Sequence, residues 1–364
     1  MDKEIKLKDI NMLAFVIQTM IGVRLLTLPR DLVAIASNDA WLSVVVAGLL
    51  ALIIGYCFYW LGVKHRGLNI SQIMEVVLGK FIGKIMQLFI FAYIILSIGL
   101  SARTFSDSIQ LFLLDKTPRV LVILIIIFTC VYCVFKGLKT ISILLDILLP
   151  FIIFFLILLL LLASTNMDID NIHPVLYRGI TPVLSGYVEI VHPYLGLGVV
   201  GYVMPYFTNP EKTKKWVFTG VFVVTLFYVA IVLMCIMVFG SKEINELVHP
   251  TIILSKTIEL EAQLFERAES LFITAWIPIT FSTMAVYYYA SVLNLKAFLG
   301  TNRHNLMIYI QIPLIIIIAL FPEDIIKAYH YLKINSYLAL LLSIVVVILP
   351  FISIIRFRKG GVKT

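Results

Sequence analysis

The chain has 364 residues, 61% of them hydrophobic and only 14% charged, with a mean hydropathy of +1.03. That composition excludes a water-soluble domain and marks a polytopic membrane protein. The net charge of +8 does not indicate nucleic acid, because Lys and Arg lie singly between apolar runs and form no basic stripe.

The first residues, MDKEIKLKDINML, are polar and lead straight into an apolar segment. No small-residue cleavage site follows a short apolar stretch, so a removable signal peptide is not expected. A spanning helix needs about 20 apolar residues. Ten such segments can be read, at approximately 10–34, 41–63, 81–113, 119–136, 140–163, 185–208, 215–240, 268–298, 303–321 and 334–357. Placing the N-terminus in the cytoplasm puts about two-thirds of the Lys and Arg residues on the cytoplasmic side, among them Lys64, Lys80, Lys136 and Lys212. Both termini are therefore expected inside.

The first segment is interrupted. In VIQTMIGVRLLTLPRDLVA, from Val16 to Ala34, an apolar run meets Gly22, then the charged Arg24, then Pro29. Such a break frees backbone groups that lipid cannot satisfy, so it persists only where it is buried in protein or lines a cavity. Arg24 has three open readings: it clamps a ligand carboxylate, it pairs internally with Glu189 or a group on span three or eight, or it plugs the site. After span two, NISQIMEVVLG over 69–79 mixes polar and apolar residues at helical spacing and is expected to lie along the cytoplasmic face. Span three ends with Arg103 and Asp107 one turn apart, a local ion pair. Cys130 and Cys133 form a CxxC in span four without the surroundings of a redox or zinc motif, and with Cys57 and Cys235 they read as small buried apolar residues. Asp146, early in span five, reads as a solvated or capped carboxylate near the interface.

Span six carries the second interruption, HPYLGLGVVGYVMPYF, where Gly196, Gly198 and Gly201 stand between Pro193 and Pro205. Glu189 and His192, three residues apart, are expected to pair. Ten spans divide into two sets of five, about 10–163 and 185–357, within one transmembrane domain covering 1–364. Five is odd, so the halves run in opposite directions and the two interrupted helices are the first of each. At such a junction half-helix N-termini offer N–H groups to an anion and unwound carbonyls offer acceptors to a cation. A zwitterion such as an amino acid suits both.

Between spans seven and eight, residues 241–267 carry Glu243, Glu246, Glu259, Glu261 and Glu266 around PTIILSKTIEL and are expected to form an outer amphipathic helix. On span eight Thr283 and Tyr287 share one face, whereas Tyr288 and Tyr289 are expected to meet lipid or neighbours. Trp41, Trp60, Trp216 and Trp276 are expected at the interfaces. The histidines make no metal motif, and no GxSxG or Walker sequence occurs. Neither an enzyme nor a cofactor is expected.

Four stretches, TMIGVRLLTLPR, ARTFSDSIQLFLLDKTP, DIDNIHPVL and PTIILSKTIELEAQLFERAES, together resemble the B subunit of GerA-type spore germinant receptors. That family belongs to the amino acid-polyamine-organocation superfamily of LeuT-fold transporters. The resemblance implies an all-α fold with a 5+5 inverted repeat, residence in the endospore inner membrane, A and C subunits as partners, and sensing of a small germinant, often an amino acid. Gly22, Leu28, Pro29 and Arg30 match the family's first-helix motif, Tyr93 its tyrosine on span three, and Thr283 and Tyr287 its pair on span eight. Arg24 stands where the family favours a small residue, and Gly198 where it commonly has an acid. With Gly22, Val23, Leu25, Tyr93, Ser97, Gly196, Thr283 and Tyr287, Arg24 and Gly198 make up the expected ligand site. A secondary amino acid or amine transporter and a non-binding scaffold subunit are the alternatives.

Overall fold

A computed structural model describes residues 6–257 and 268–357, with the side chains of 268–271 excepted. Among these residues the structure is helical throughout. The only extended pairing is an isolated bridge in which Leu7 N donates to Tyr206 O (2.9 Å) and Thr208 N to Leu7 O (3.2 Å), tying the N-terminal segment to the end of span six.

Span one consists of helices Asn11–Ile21 and Leu28–Ala36 joined by a 3-10 turn, Val23–Leu26. The cut falls at Gly22, whose φ of 38° is one that a side chain would strain. Pro29 sits in the first turn of the second half, where its missing N–H costs nothing. Span two is Ala40–Lys64, span three Lys80–Phe112, span four Arg119–Lys136 and span five Leu138–Ala163. Span six runs from Ile180 to Tyr206 and span seven is Thr213–Ile244. Spans eight, nine and ten are Ala268–Leu299, His304–Leu320 and Ile325–Phe357.

Among the described residues, seven segments are each long and apolar enough to cross a membrane, one of them Leu28–Lys64, which runs from span one into span two. Spans eight and nine qualify together as a pair bent by 113°. Asn11–Ile21 is too short alone because Gly22 divides its span. Counted with these, the described residues hold helices at all ten of the expected spans.

The interior is both apolar and hydrogen-bonded. Gln18, Ser97, Asn294, Gln311 and Asn335 are fully buried, and each finds partners, as where Ser291 Oγ donates to Gln311 Oε1 at 2.6 Å. The outer surface is the reverse, with Leu49, Phe128, Phe154, Phe222 and Phe351 exposed for lipid.

Some expectations gain detail, and that for Trp276 needs correction. The segment after span two forms a helix, Ile70–Leu78, whose apolar face, with Ile70, Ser71, Ile73, Met74 and Val77, is buried against the bundle. A capping box starts it: Asn69 Oδ1 accepts from Gln72 N, and Gln72 Oε1 from Asn69 N. Asn69→Ala is expected to cost about 1 kcal/mol, read as a lower unfolding midpoint of the purified protein. Trp276 is fully buried and stacks on Phe105 with ring centroids 5.5 Å apart, so it belongs to no interfacial belt. Tyr287, Tyr288 and Tyr289 are all buried, so Tyr288 and Tyr289 meet neighbouring helices, one of the two surroundings expected. Tyr288 spends its hydroxyl on Ile308 O (2.8 Å), which lets a tyrosine face a neighbouring helix. Of the outer amphipathic segment, Pro250–Lys256 is helical, and Glu259, Glu261 and Glu266 lie outside the described residues.

The four cysteines are buried and unbridged. Asp146 accepts from Asn11 Nδ2 at 2.5 Å, which caps the carboxylate near the face that carries the N-terminus.

Candidate functional site

The two interruptions differ in kind. Span six keeps right-handed helical backbone from Tyr187 to Val203 and merely tightens to a 3-10 turn at Leu195–Leu197. Only span one is truly broken. Its freed carbonyls are taken up by side chains of other helices: Tyr228 OH lies 2.6 Å from Met20 O and 3.1 Å from Ile21 O, Thr283 Oγ1 donates to Gln18 O (2.5 Å), and Thr251 Oγ1 to Leu25 O (2.8 Å). Internal hydroxyls thus hold the acceptors that an unwound segment offers.

The two segments also touch. A Cβ on Gly196 would stand 2.4 Å from Thr19 O, so span six lies directly on the first half of span one. On Gly22 a Cβ would come within 3.3 Å of Thr283 Cγ2. Thr283 therefore packs on the break, while Tyr287, one turn further on, faces open space.

That space is a cavity of about 50 Å³, room for a few waters or a small apolar group. Phe58, Ile90, Tyr93, Leu195, Gly198, Val199, Tyr287 and Leu342 line it. Its walls are almost wholly apolar, and tyrosine hydroxyls are the polar groups within reach.

Arg24 does not line this cavity. It is buried with an internal partner, though not one of those expected: Nη1 donates to Asp31 Oδ2 (3.1 Å), and Nη2 donates to Leu332 O (3.0 Å) and Ser336 Oγ (2.9 Å). Asp31 also accepts from Thr27 Oγ1 (3.0 Å) and pairs with Arg30 Nη2 (3.1 Å). The carboxylate thus stands between two guanidiniums.

Glu189 and His192 do not pair with each other. Glu189 reaches Lys333 Nζ on span ten (2.7 Å), because it lies one turn nearer the far side, within the lysine's reach. His192 turns inward, with Nε2 3.2 Å from both Ser97 Oγ and Asn335 Nδ2. Ser97 gives its proton to Tyr93 O (2.7 Å), so its oxygen accepts from Asn335 Nδ2 (2.8 Å). This arrangement sets the orientation of the Asn335 amide. Arg24 Nε, His192 Nδ1 and Asn335 Oδ1 are left without hydrogen-bond partners. Residues 332, 335 and 336 share one helix face, so span ten presents Asn335 beside the groups that hold Arg24. A charged donor, an amide acceptor and an imidazole nitrogen suit a small polar group that both accepts and donates.

Val23 and Leu25 are buried in the turn of span one. Arg103 Nε and Asp107 Oδ2 are 2.9 Å apart, and Arg119 Nε lies 2.8 Å from the other carboxylate oxygen. Arg103 also donates to Pro322 O and Glu323 O, which binds span three to the turn before span ten. Sequence reasoning missed Asp31, Tyr228 and Asn335. The last had a signal, an Asn-Ser pair inside an apolar span, where polar residues are costly.

On the face away from the N-terminus His249 is buried beside Ser108, Phe112 and Tyr329. Burial first, and the nearby Arg30 charge second, push its pKa down to about 3. The unfolded chain therefore binds the extra proton between about pH 3 and pH 6.5. Stability contributed by neutral His249 is expected to be full above pH 6.5 and to fall as pH drops through that window. Unfolding midpoints from pH 4 to 8 test this, and His249→Gln is expected to flatten the slope.

The family model described as spore germination protein matches residues 6–328. The chain is 27% identical to spore germination protein A2 of Bacillus subtilis over 355 residues, covering 97% of each chain. It is 26% identical to spore germination protein GerLB of Bacillus cereus over 372 residues, covering 100% of this chain and 98% of that one. Among solved structures it resembles MhsT in complex with L-phenylalanine (TM-score 0.72, 12% identity, 95% and 89% covered). It also resembles Mhp1, a nucleobase-cation-symport-1 family transporter (0.66, 13%, 95% and 78%), and a mutant manganese transporter of Eremococcus coleocola (0.67, 14%, 93% and 78%). These are LeuT-fold transporters, and the chain shares their fold.

Proposed function

The chain belongs to the spore germination protein family, and from that membership we propose that it is the membrane-embedded B subunit of a germinant receptor. In this reading it resides in the endospore inner membrane with both termini on the core side, as the Lys and Arg distribution favours. It works with A and C subunits and senses a small nutrient, an amino acid or a similar molecule. The observation that carries the reading is the cavity beside the span-six turn, lined by Tyr93, Leu195, Gly198 and Tyr287. Its apolar wall suits a small aliphatic side chain. The partnerless polar atoms of Arg24, His192 and Asn335 suit the ligand's polar end.

Spores lacking only this subunit, challenged with a panel of amino acids, sugars and nucleosides, test the proposal. Loss of response to one class of nutrient, restored by the intact gene, is expected; an unchanged response to the whole panel overturns it. In the same assay Arg24→Gly is expected to alter which nutrients trigger germination, since it removes the one guanidinium beside these groups. An unchanged spectrum at normal protein level rules out a role for Arg24 in ligand choice. Uptake of radiolabelled amino acids by reconstituted vesicles separates a transporter from a sensor.

A further inference from the structure

Two spaces lie in line toward the face that carries the N-terminus. The first is the apolar cavity. The second is a polar vestibule of about 760 Å³ beside Asn69, Gln72, Glu75, Lys296 and Asn302. The same three elements wall both. Helix Ile70–Leu78 turns Met74 to the cavity and Gln72 to the vestibule; span six passes from Tyr202 to Pro205, and span eight from Ala290 to Lys296.

Where each element crosses from one space to the other it contributes one polar side chain, and the three are bonded together. Ser71 Oγ donates to Asn294 Oδ1 (2.9 Å) and lies 3.0 Å from Tyr202 OH. Ser71 has a single proton and gives it to Asn294, so Tyr202 is the donor in the second bond. Asn294 Nδ2 donates to Gln87 O (3.0 Å), and Gln87 Nε2 to Ser71 O (2.7 Å), which fastens the group to span three. Ser71, Gln87 and Asn294 are fully buried. None of the three junction groups carries a charge.

Although Glu75 and Lys84 (2.8 Å) also tie helix Ile70–Leu78 to span three on the vestibule side, closure on the opposite side is charged where this junction is neutral. There Arg24, Asp31 and Arg30 join span one to span ten, Lys333 and Glu189 join span ten to span six, and Arg103 holds the turn before span ten. Opening that side strands buried charges, whereas neutral hydroxyl and amide bonds are replaced by water at little net cost.

We propose that the apolar cavity opens to the vestibule on the N-terminal face through a junction closed by the Ser71, Tyr202 and Asn294 hydrogen bonds. The solute class, a small molecule with an apolar body, rests on the germinant reading above; the closure does not depend on it.

The test uses the full chain with its four cysteines replaced by alanine and one cysteine introduced at the cavity wall, Ala290→Cys, in reconstituted vesicles. A membrane-impermeant methanethiosulfonate is applied from either face. With the junction intact, labelling is expected to be slow from both. Ser71→Ala and, as the milder change, Tyr202→Phe are each expected to raise the rate at least tenfold from the N-terminal face alone. Rates that stay unchanged in both variants, or rise equally from both faces, overturn the proposal. An unaltered unfolding midpoint in Tyr202→Phe separates opening from general loosening. No germinant enters the assay, so its outcome is independent of whether nutrients are sensed here.

Discussion

Asp31→Ala is expected to destabilise the protein by about 3–5 kcal/mol, the cost of leaving a buried charge without its partner. The carboxylate faces Arg24 on one oxygen and Arg30 on the other, and Arg24 is almost wholly shielded from water. Removing it leaves the Arg24 guanidinium with only two neutral acceptors, Leu332 O and Ser336 Oγ. Arg24→Met is expected to cost less, because Asp31 retains Arg30 and Thr27. In the double variant Arg24→Met with Asp31→Ala, the loss is expected to fall below the sum of the single losses, since the stranded charge is gone. Unfolding of the four proteins in detergent, followed by circular dichroism, measures all of this. An Asp31→Ala protein within about 1 kcal/mol of the parent contradicts the stated role of the pair.

Gly196 and Gly198 stand two residues apart and are expected to behave in opposite ways. A methyl group on Gly196 would meet the backbone of Thr19 at 2.4 Å, and backbone cannot turn aside as a side chain can. Gly196→Ala is expected to cost about 3 kcal/mol by overpacking and to push spans one and six apart. A methyl group on Gly198 meets only Phe58 Cζ, at 3.8 Å, an ordinary contact. Gly198→Ala is expected to leave stability within about 0.5 kcal/mol of the parent. Because Gly198 lines the cavity, the same change narrows it and is expected to weaken the germination response to larger nutrients before smaller ones. Equal effects of the two substitutions on the unfolding midpoint contradict the packing described here.

The contrast bears on how the two breaks are read. From sequence both spans read alike, as helices interrupted by Gly and Pro. The structure separates them: of the glycines in the two segments only Gly22 takes a positive φ, and Gly196 and Gly201 serve close approach. Gly content measures how near a neighbour comes as well as how far a helix unwinds, and only the neighbour distinguishes the two.

Arg24 shows a similar limit. A charge in an apolar span requires a partner, and that much follows from sequence. The partner is seven residues away across the break, in a segment that reads as the end of the same helix, with further support from span ten more than 300 residues on. Glu189, an expected partner, is held by Lys333.

What the chain alone determines is the class and the plan. Twenty-residue apolar runs must be spanning helices, because lipid leaves the backbone no other arrangement. The odd number of spans in each half makes the halves antiparallel, and Gly22 with Pro29 marks where span one divides. Which buried polar groups meet is decided only by tertiary structure. Asn335 with Ser97 and His192, Tyr228 with the carbonyls of span one, and Ser71 with Tyr202 and Asn294 are brought together by helix packing. A hydrogen bond requires atoms within about 3 Å, and the order of residues along ten helices does not fix that distance.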